Sequence, residues 1–99
     1  MAYISSLEMI KKAQAEKYAV PAFNAENLEM VQAIIAAAEE QQSPVMIQTT
    51  APTTTYLTLD AMVAIVKTIA GKASVPVALH LDHCTKFDDV MKALRAGYT

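Results

Sequence analysis

The chain has 99 residues, 54% of them apolar and 18% charged, with two glycines and four prolines, which excludes disordered and collagen-like classes and leaves room for one domain. Eight basic against ten acidic residues give a formal charge of −2, so there is no electrostatic footprint for nucleic acid or an anionic membrane surface. A single cysteine, Cys84, excludes an internal disulfide framework and fits a reducing compartment.

The opening residues carry no basic segment followed by an apolar run, and no apolar stretch approaches the ~20 residues needed to cross a bilayer. A cytoplasmic globular protein is expected. Leu7, Ile10 and Ala13 recur at helical spacing behind Ser5-x-x-Glu8, a capping box. An apolar run, Ala19 to Phe23, follows and ends at Asn24. Leu28, Val31, Ile34, Ile35 and Ala38 then mark one face of a helix, with Glu26 and Glu29 near its positive end. Ser43-Pro44 stops that helix.

Val45 to Thr50 reads as a strand and Ala51 to Tyr56 as a threonine-rich loop. Leu59, Met62, Val63, Val66 and Ile69 predict a second amphipathic helix ending near Gly71. Val77 to Asp82 is the third strand. Thr85-x-x-Asp88 opens a last helix with Phe87, Val90, Met91 and Leu94 as its apolar face, an Asp88–Lys92 pair, and Gly97 beyond its end.

The order is thus one helix followed by three strand–helix units. Nearly continuous apolar strands alternating with helices imply a parallel α/β sheet. A (β/α)8 barrel takes roughly 250 residues, and three parallel strands alone leave two open edges. Residues 1–99 are therefore expected to be the N-terminal part of something larger, the first three of eight units if the whole is a single TIM-barrel domain, while a self-contained 99-residue α/β domain stays open.

Ligands of such folds meet the carboxyl ends of the strands. Asn24, Thr49-Thr50 and Asp82-His83 fall there. Side chains alternate along a strand, so His80 and Asp82 share one face, while Leu79 and Leu81 turn toward the helices. An adjacent Asp and His can divide the work, the imidazole holding a metal and the carboxylate moving a proton. Each residue also has a plainer reading. Asp82 could cap a helix, His83 could be an exposed loop histidine, His80 a core histidine and Cys84 an incidental small residue. Asn24 could cap the next helix, and Thr50 could make a local turn bond.

The string HLDHCTKFDDVMKALRAGYT, residues 80–99, resembles the first zinc-ligand segment of class II, metal-dependent fructose- and tagatose-bisphosphate aldolases. YAVPAFNAENLEMVQAIIAAAEEQQSPVMIQ, residues 18–48, resembles the opening two strands of that family. The resemblance runs through essentially the whole chain. It implies a lyase that cleaves a ketose 1,6-bisphosphate, of fructose or tagatose type, to dihydroxyacetone phosphate and glyceraldehyde 3-phosphate. It further implies that Asp82 is the acid/base at the aldehyde-derived oxygen and that His83 is one of three histidine ligands of a catalytic Zn2+. Asn24 and Thr50 would contact the substrate or its phosphate, and the enzyme would be a homo-oligomer.

The sequence departs from the family at Ala51-Pro52-Thr53, where a glycine-containing loop is common, and at Cys84, to which no role passes. The other two zinc histidines and the glycine-rich phosphate segments belong downstream of residue 99, so the isolated chain is expected to be inactive. Zinc supplies the Lewis acid that a developing enediolate needs. The lysines considered for a Schiff base, Lys67 and Lys72, lie on or after a helix, away from the strand ends. The rival readings are a metal-independent barrel lyase or isomerase and a non-catalytic small α/β module.

Overall fold

The computed structural model describes residues 2–99; Met1, the first residue of the expected 1–99 domain, lies outside the described residues. Eight elements follow in order: α1 (Ser6–Glu16), β1 (Ala22–Asn24), α2 (Leu28–Glu40), β2 (Val45–Thr49), α3 (Ala51–Leu57), α4 (Leu59–Ala70), β3 (Val77–Leu81) and α5 (Phe87–Ala96). The strands form one parallel sheet in the order β1-β2-β3, as continuous apolar strands require. Ala22 pairs with Met46 and Asn24 with Gln48, while Met46 pairs with Ala78 and Gln48 with His80.

Strand alternation divides the sheet into two faces. Val45, Ile47, Val77 and Leu79 point to α2 and α4 and pack with Val31, Ile35, Met62 and Val66. Each such buried side chain contributes about 1.5–3 kcal/mol relative to exposure. Met46 and Ala78 occupy the other face, where Met9 of α1 covers the lower end of the sheet, with Ile4 and Val20 alongside. Above Met46 and Ala78 that face carries polar residues.

The helix boundaries have local causes. Asn27, in extended geometry, accepts from the Met30 N–H at 2.9 Å and caps α2, which leaves Glu29 in the first turn and Glu26 outside it. Thr58 ends α3 and caps α4, accepting from Ala61. Gly97 closes α5 at φ 118°, and a Cβ there would meet Val63 Cγ1 at 3.1 Å, so both backbone and space call for glycine.

Several expectations are corrected. The threonine-rich stretch is helix α3, because Pro52 suits a first helical turn, Thr53 is buried, and the Thr54 hydroxyl bonds back to Ala51 O at 2.9 Å. In α1 the buried positions are Met9 and Ala13, whereas Leu7 and Ile10 are exposed, since the helix meets the sheet through Met46 and Ala78. The Ser5 hydroxyl accepts from Leu7 N–H at 3.2 Å, and Glu8 returns no bond, so the capping box is half formed. The N-cap of α5 is Lys86 rather than Thr85, and α5 meets α4 through Ala93 and Ala96 while Phe87, Val90 and Leu94 remain exposed. Asp88 and Lys92 are not among the ion pairs of the described residues.

The outer edge of β3 is engaged by both chain ends. Tyr3 bridges Val77, and Thr99 donates to Leu79 O at 3.0 Å and accepts from Leu79 N–H at 2.9 Å. The Tyr3 hydroxyl donates to Gly97 O at 2.6 Å, and Lys67 Nζ stands 5.9 Å from the Tyr3 ring centre. Tyr98 and Thr49 share a buried hydroxyl pair at 2.8 Å.

Burial disfavours the phenolate at both tyrosines, pushing Tyr3 from 10.0 up to about 12 and raising Tyr98 as well. A phenol whose folded pKa exceeds its unfolded value contributes stability that is complete below the unfolded pKa and is lost as pH rises toward the folded one. Urea midpoints are therefore expected to hold up to about pH 10 and fall toward pH 12. In Tyr3→Phe that alkaline fall should shrink, at a neutral-pH cost of about 0.5–1.5 kcal/mol for the lost Gly97 bond.

Candidate active site

The register assembles the site before any loop does. Asn24, Gln48 and His80 are paired across the three strands and form one polar row on the face opposite α2 and α4. Gln48 Nε2 donates to Asn24 Oδ1 at 2.9 Å. Asn24 is thus held by its strand neighbour, and the cap of the next helix falls to Asn27 instead. Thr50 and Asp82 continue the same face by one more alternation, just past the ends of β2 and β3. The Asp82 N–H donates to Thr49 O at 2.8 Å and ties the two strand ends together.

Thr49 and Thr50 part company. Thr49 is fully buried on the helix side against Tyr98, so it leaves the set of strand-end candidates. Thr50 is half-buried at the start of α3, and its hydroxyl makes no capping bond.

Asp82 is the centre of the arrangement. Its Oδ1 lies 3.5 Å from His80 Nε2 and its Oδ2 lies 3.5 Å from His83 Nε2. The Asp82 side chain is 27% exposed and that of His83 is 82% exposed, so the carboxylate sits in the wall and the imidazole reaches out. His83 occupies the left-handed region at φ 56°, a conformation that costs a non-glycine residue about 1–2 kcal/mol. That turn brings His83 back beside the carboxylate immediately after the strand ends.

A cleft of about 230 Å³ opens beside this group, lined by Thr54, Asp82, His83, Cys84, Lys86 and Asp89 among others. Cys84 Sγ bonds to Lys86 O at 3.3 Å and shapes the loop. Gln48 and Lys86 escaped the sequence reading, whereas Asp89 stands with Asp88 in the first turn of α5, as a helix-start charge pair does. The signal for Gln48 was available, as a polar residue at an inward position of an otherwise apolar strand. Lys86 is one lysine at the carboxyl end of the sheet, where Lys67 and Lys72 are not. A separate apolar cleft of about 400 Å³ lies against β1 and α2, lined by Pro21, Phe23, Ile34, Ala37 and Pro44, away from the polar row.

Among the described residues no group of three or more His, Cys, Asp or Glu side chains converges to hold a metal ion. The exposed His83 imidazole at the rim can serve as one donor of a larger set, and neutral imidazole is an ordinary zinc ligand.

The family model described as class II fructose-bisphosphate aldolase matches residues 4–99. The chain belongs to that family. The fructose-bisphosphate aldolase of Thermus caldophilus is 45% identical over 96 residues, 97% of this chain and 31% of that protein. The sulfofructosephosphate aldolase of Alkalicoccus urumqiensis is 42% identical over 98 residues, 99% of this chain and 34% of that one. The crystal structure of the YdjI aldolase from Escherichia coli K12 superposes with a TM-score of 0.87 at 29% identity, covering 97% of this chain and 38% of that one. The chain therefore spans about a third of the length of the curated relatives it matches. In this chain the strand-end group Asn24, Thr50, Asp82 and His83 lies on one side of one sheet. No helix of the described residues is long and apolar enough to cross a membrane.

The backbone at His83 offers a direct check. His83→Gly removes the left-handed penalty and is expected to leave stability unchanged or raise it by up to about 1 kcal/mol. His83→Val should lower it by about 1–2 kcal/mol, both read from urea unfolding of the 99-residue chain.

Proposed function

We propose that residues 1–99 form the first three strand–helix units of a (β/α)8 aldolase barrel that reversibly cleaves a phosphorylated ketose. The products are dihydroxyacetone phosphate and, for a fructose or tagatose 1,6-bisphosphate, glyceraldehyde 3-phosphate. The observation that carries this reading is a half-buried carboxylate flanked by two imidazoles at the carboxyl end of a parallel sheet, in a chain of the class II aldolase family.

In this reading Asp82 is the acid/base. In cleavage its carboxylate accepts the proton of the hydroxyl on the carbon that becomes the aldehyde, while the adjacent carbon–carbon bond breaks and its electron pair passes to the ketone fragment. That fragment then takes one proton from water at the same carbon to become dihydroxyacetone phosphate, and the Asp82 carboxyl returns its proton to solvent. In condensation the carboxyl gives a proton back to the aldehyde oxygen. His83 is one of three histidine ligands for zinc, the others lying outside this chain. When bound, zinc supplies the Lewis acid that stabilises negative charge on the ketone fragment. Asn24, oriented by Gln48, and the free hydroxyl of Thr50 contact the substrate or its phosphate. The phosphorylated ketose is the class that the names of both curated relatives share. A cytoplasmic homo-oligomer belongs to the same reading.

The test uses a chimera in which this chain replaces the matching third of the Thermus caldophilus aldolase. Asp82→Ala in that chimera is expected to lower kcat by about 10²–10⁴. A chelator should abolish turnover, and added zinc should restore it. Turnover that survives both changes would favour a metal-independent barrel or a purely structural strand end. The isolated 99-residue chain is expected to bind zinc weakly and to show no aldol cleavage, checked by isothermal titration and a coupled product assay.

A further inference from the structure

His80 is the strand-end group with no task in the mechanism above. It sits on β3 opposite Leu79 and Leu81, level with Gln48 and Asn24, and its side chain is 42% exposed. An apolar core gains nothing from an imidazole on this face, and the carboxylate is its near charged neighbour, with Nε2 at 3.5 Å from Asp82 Oδ1.

The rest of Asp82 is already constrained. Its backbone N–H is bonded to Thr49 O at 2.8 Å, which fixes the main chain against the end of β2. Only rotation about the side-chain bonds remains free. The two carboxylate oxygens then face different imidazoles, Oδ1 toward His80 on the strand and Oδ2 toward His83 on the loop. A group on a regular strand holds a partner more tightly than one on an 82%-exposed loop side chain.

We propose that His80 is a positioning residue: through Nε2 it holds Oδ1 of Asp82 and so leaves Oδ2 as the oxygen that exchanges the proton at the mouth of the sheet. The proposal rests on the acid/base reading of Asp82. It needs the tautomer with hydrogen on Nε2, which a carboxylate neighbour favours. The separation of 3.5 Å is long for a hydrogen bond, and such contacts shorten when substrate closes the site. Misplacing a reacting group by about 1 Å costs up to 10²-fold in rate, which sets the scale of the effect.

Two measurements test it. In the 99-residue chain, three-bond Hα–Hβ couplings of Asp82 should report one dominant rotamer in the native protein and in His80→Gln, whose amide keeps a donor near the same place. The couplings should average in His80→Leu. In the zinc-loaded chimera, His80→Leu should lower kcat by about 10- to 100-fold with KM and zinc content within about twofold, and His80→Gln should recover most of the loss. The proposal is overturned if His80→Leu keeps a single rotamer and full kcat, if His80→Gln is as impaired as His80→Leu, or if zinc is lost with the imidazole. Asp82→Ala separates the two levels. If that variant retains turnover, the acid/base reading falls and the proposal with it; if it is inactive while His80→Leu is fully active, the proposal alone falls.

Discussion

Parallel pairing of β2 with both of its neighbours is the constraint on which everything else rests. Because all three strands run the same way, their carboxyl ends meet on one side, and the register puts Asn24, Gln48 and His80 in a single row. A slip of one residue between β2 and β3 would turn His80 and Asp82 toward the helices and Leu81 toward the open face. Burying a carboxylate and an imidazole among Val63, Val66 and Ile69 would cost several kcal/mol, so the hydrophobic pattern of β3 protects the geometry of the site.

The two faces of the sheet are covered unequally, and that inequality has a use. The helix-facing side is packed with branched apolar chains from its lower to its upper end, down to the Thr49–Tyr98 hydroxyl pair. Among the described residues the other side is closed at its lower end by Met9, with Ile4 and Val20 beside it. Its upper half keeps polar groups in partial contact with solvent, where a ligand can reach them. Rigid packing on one side and an accessible row on the other are what a scaffold-mounted site needs.

Around Asp82 the strands and the loop contribute differently. The strand supplies His80 and an anchored main chain, and the loop supplies His83 through a left-handed turn that the local sequence, without glycine, would not choose unaided. A strained residue directly after a half-buried carboxylate is where an otherwise locally consistent sequence breaks its own rules, and such breaks concentrate at functional sites.

The alternation of apolar runs and helical stripes was enough to establish three strands, the parallel sense, and helices α1, α2, α4 and α5, because periodicity reports which faces must leave water. The shared face of His80 and Asp82, and the opposite facing of Leu79 and Leu81, followed from the two-residue repeat alone. Packing decided the rest. Helix α3 forms from a stretch of weak helix formers because Thr53 has a place in the core, and α1 buries Met9 rather than Leu7 because of where the sheet lies. Thr49 and Thr50 look alike in the sequence, and only the closeness of Tyr98 sends one into the interior and leaves the other free. The Asn24–Gln48 bond and the placing of the Asp82 carboxylate between two imidazoles join atoms on different segments, and only the assembled sheet brings those segments together.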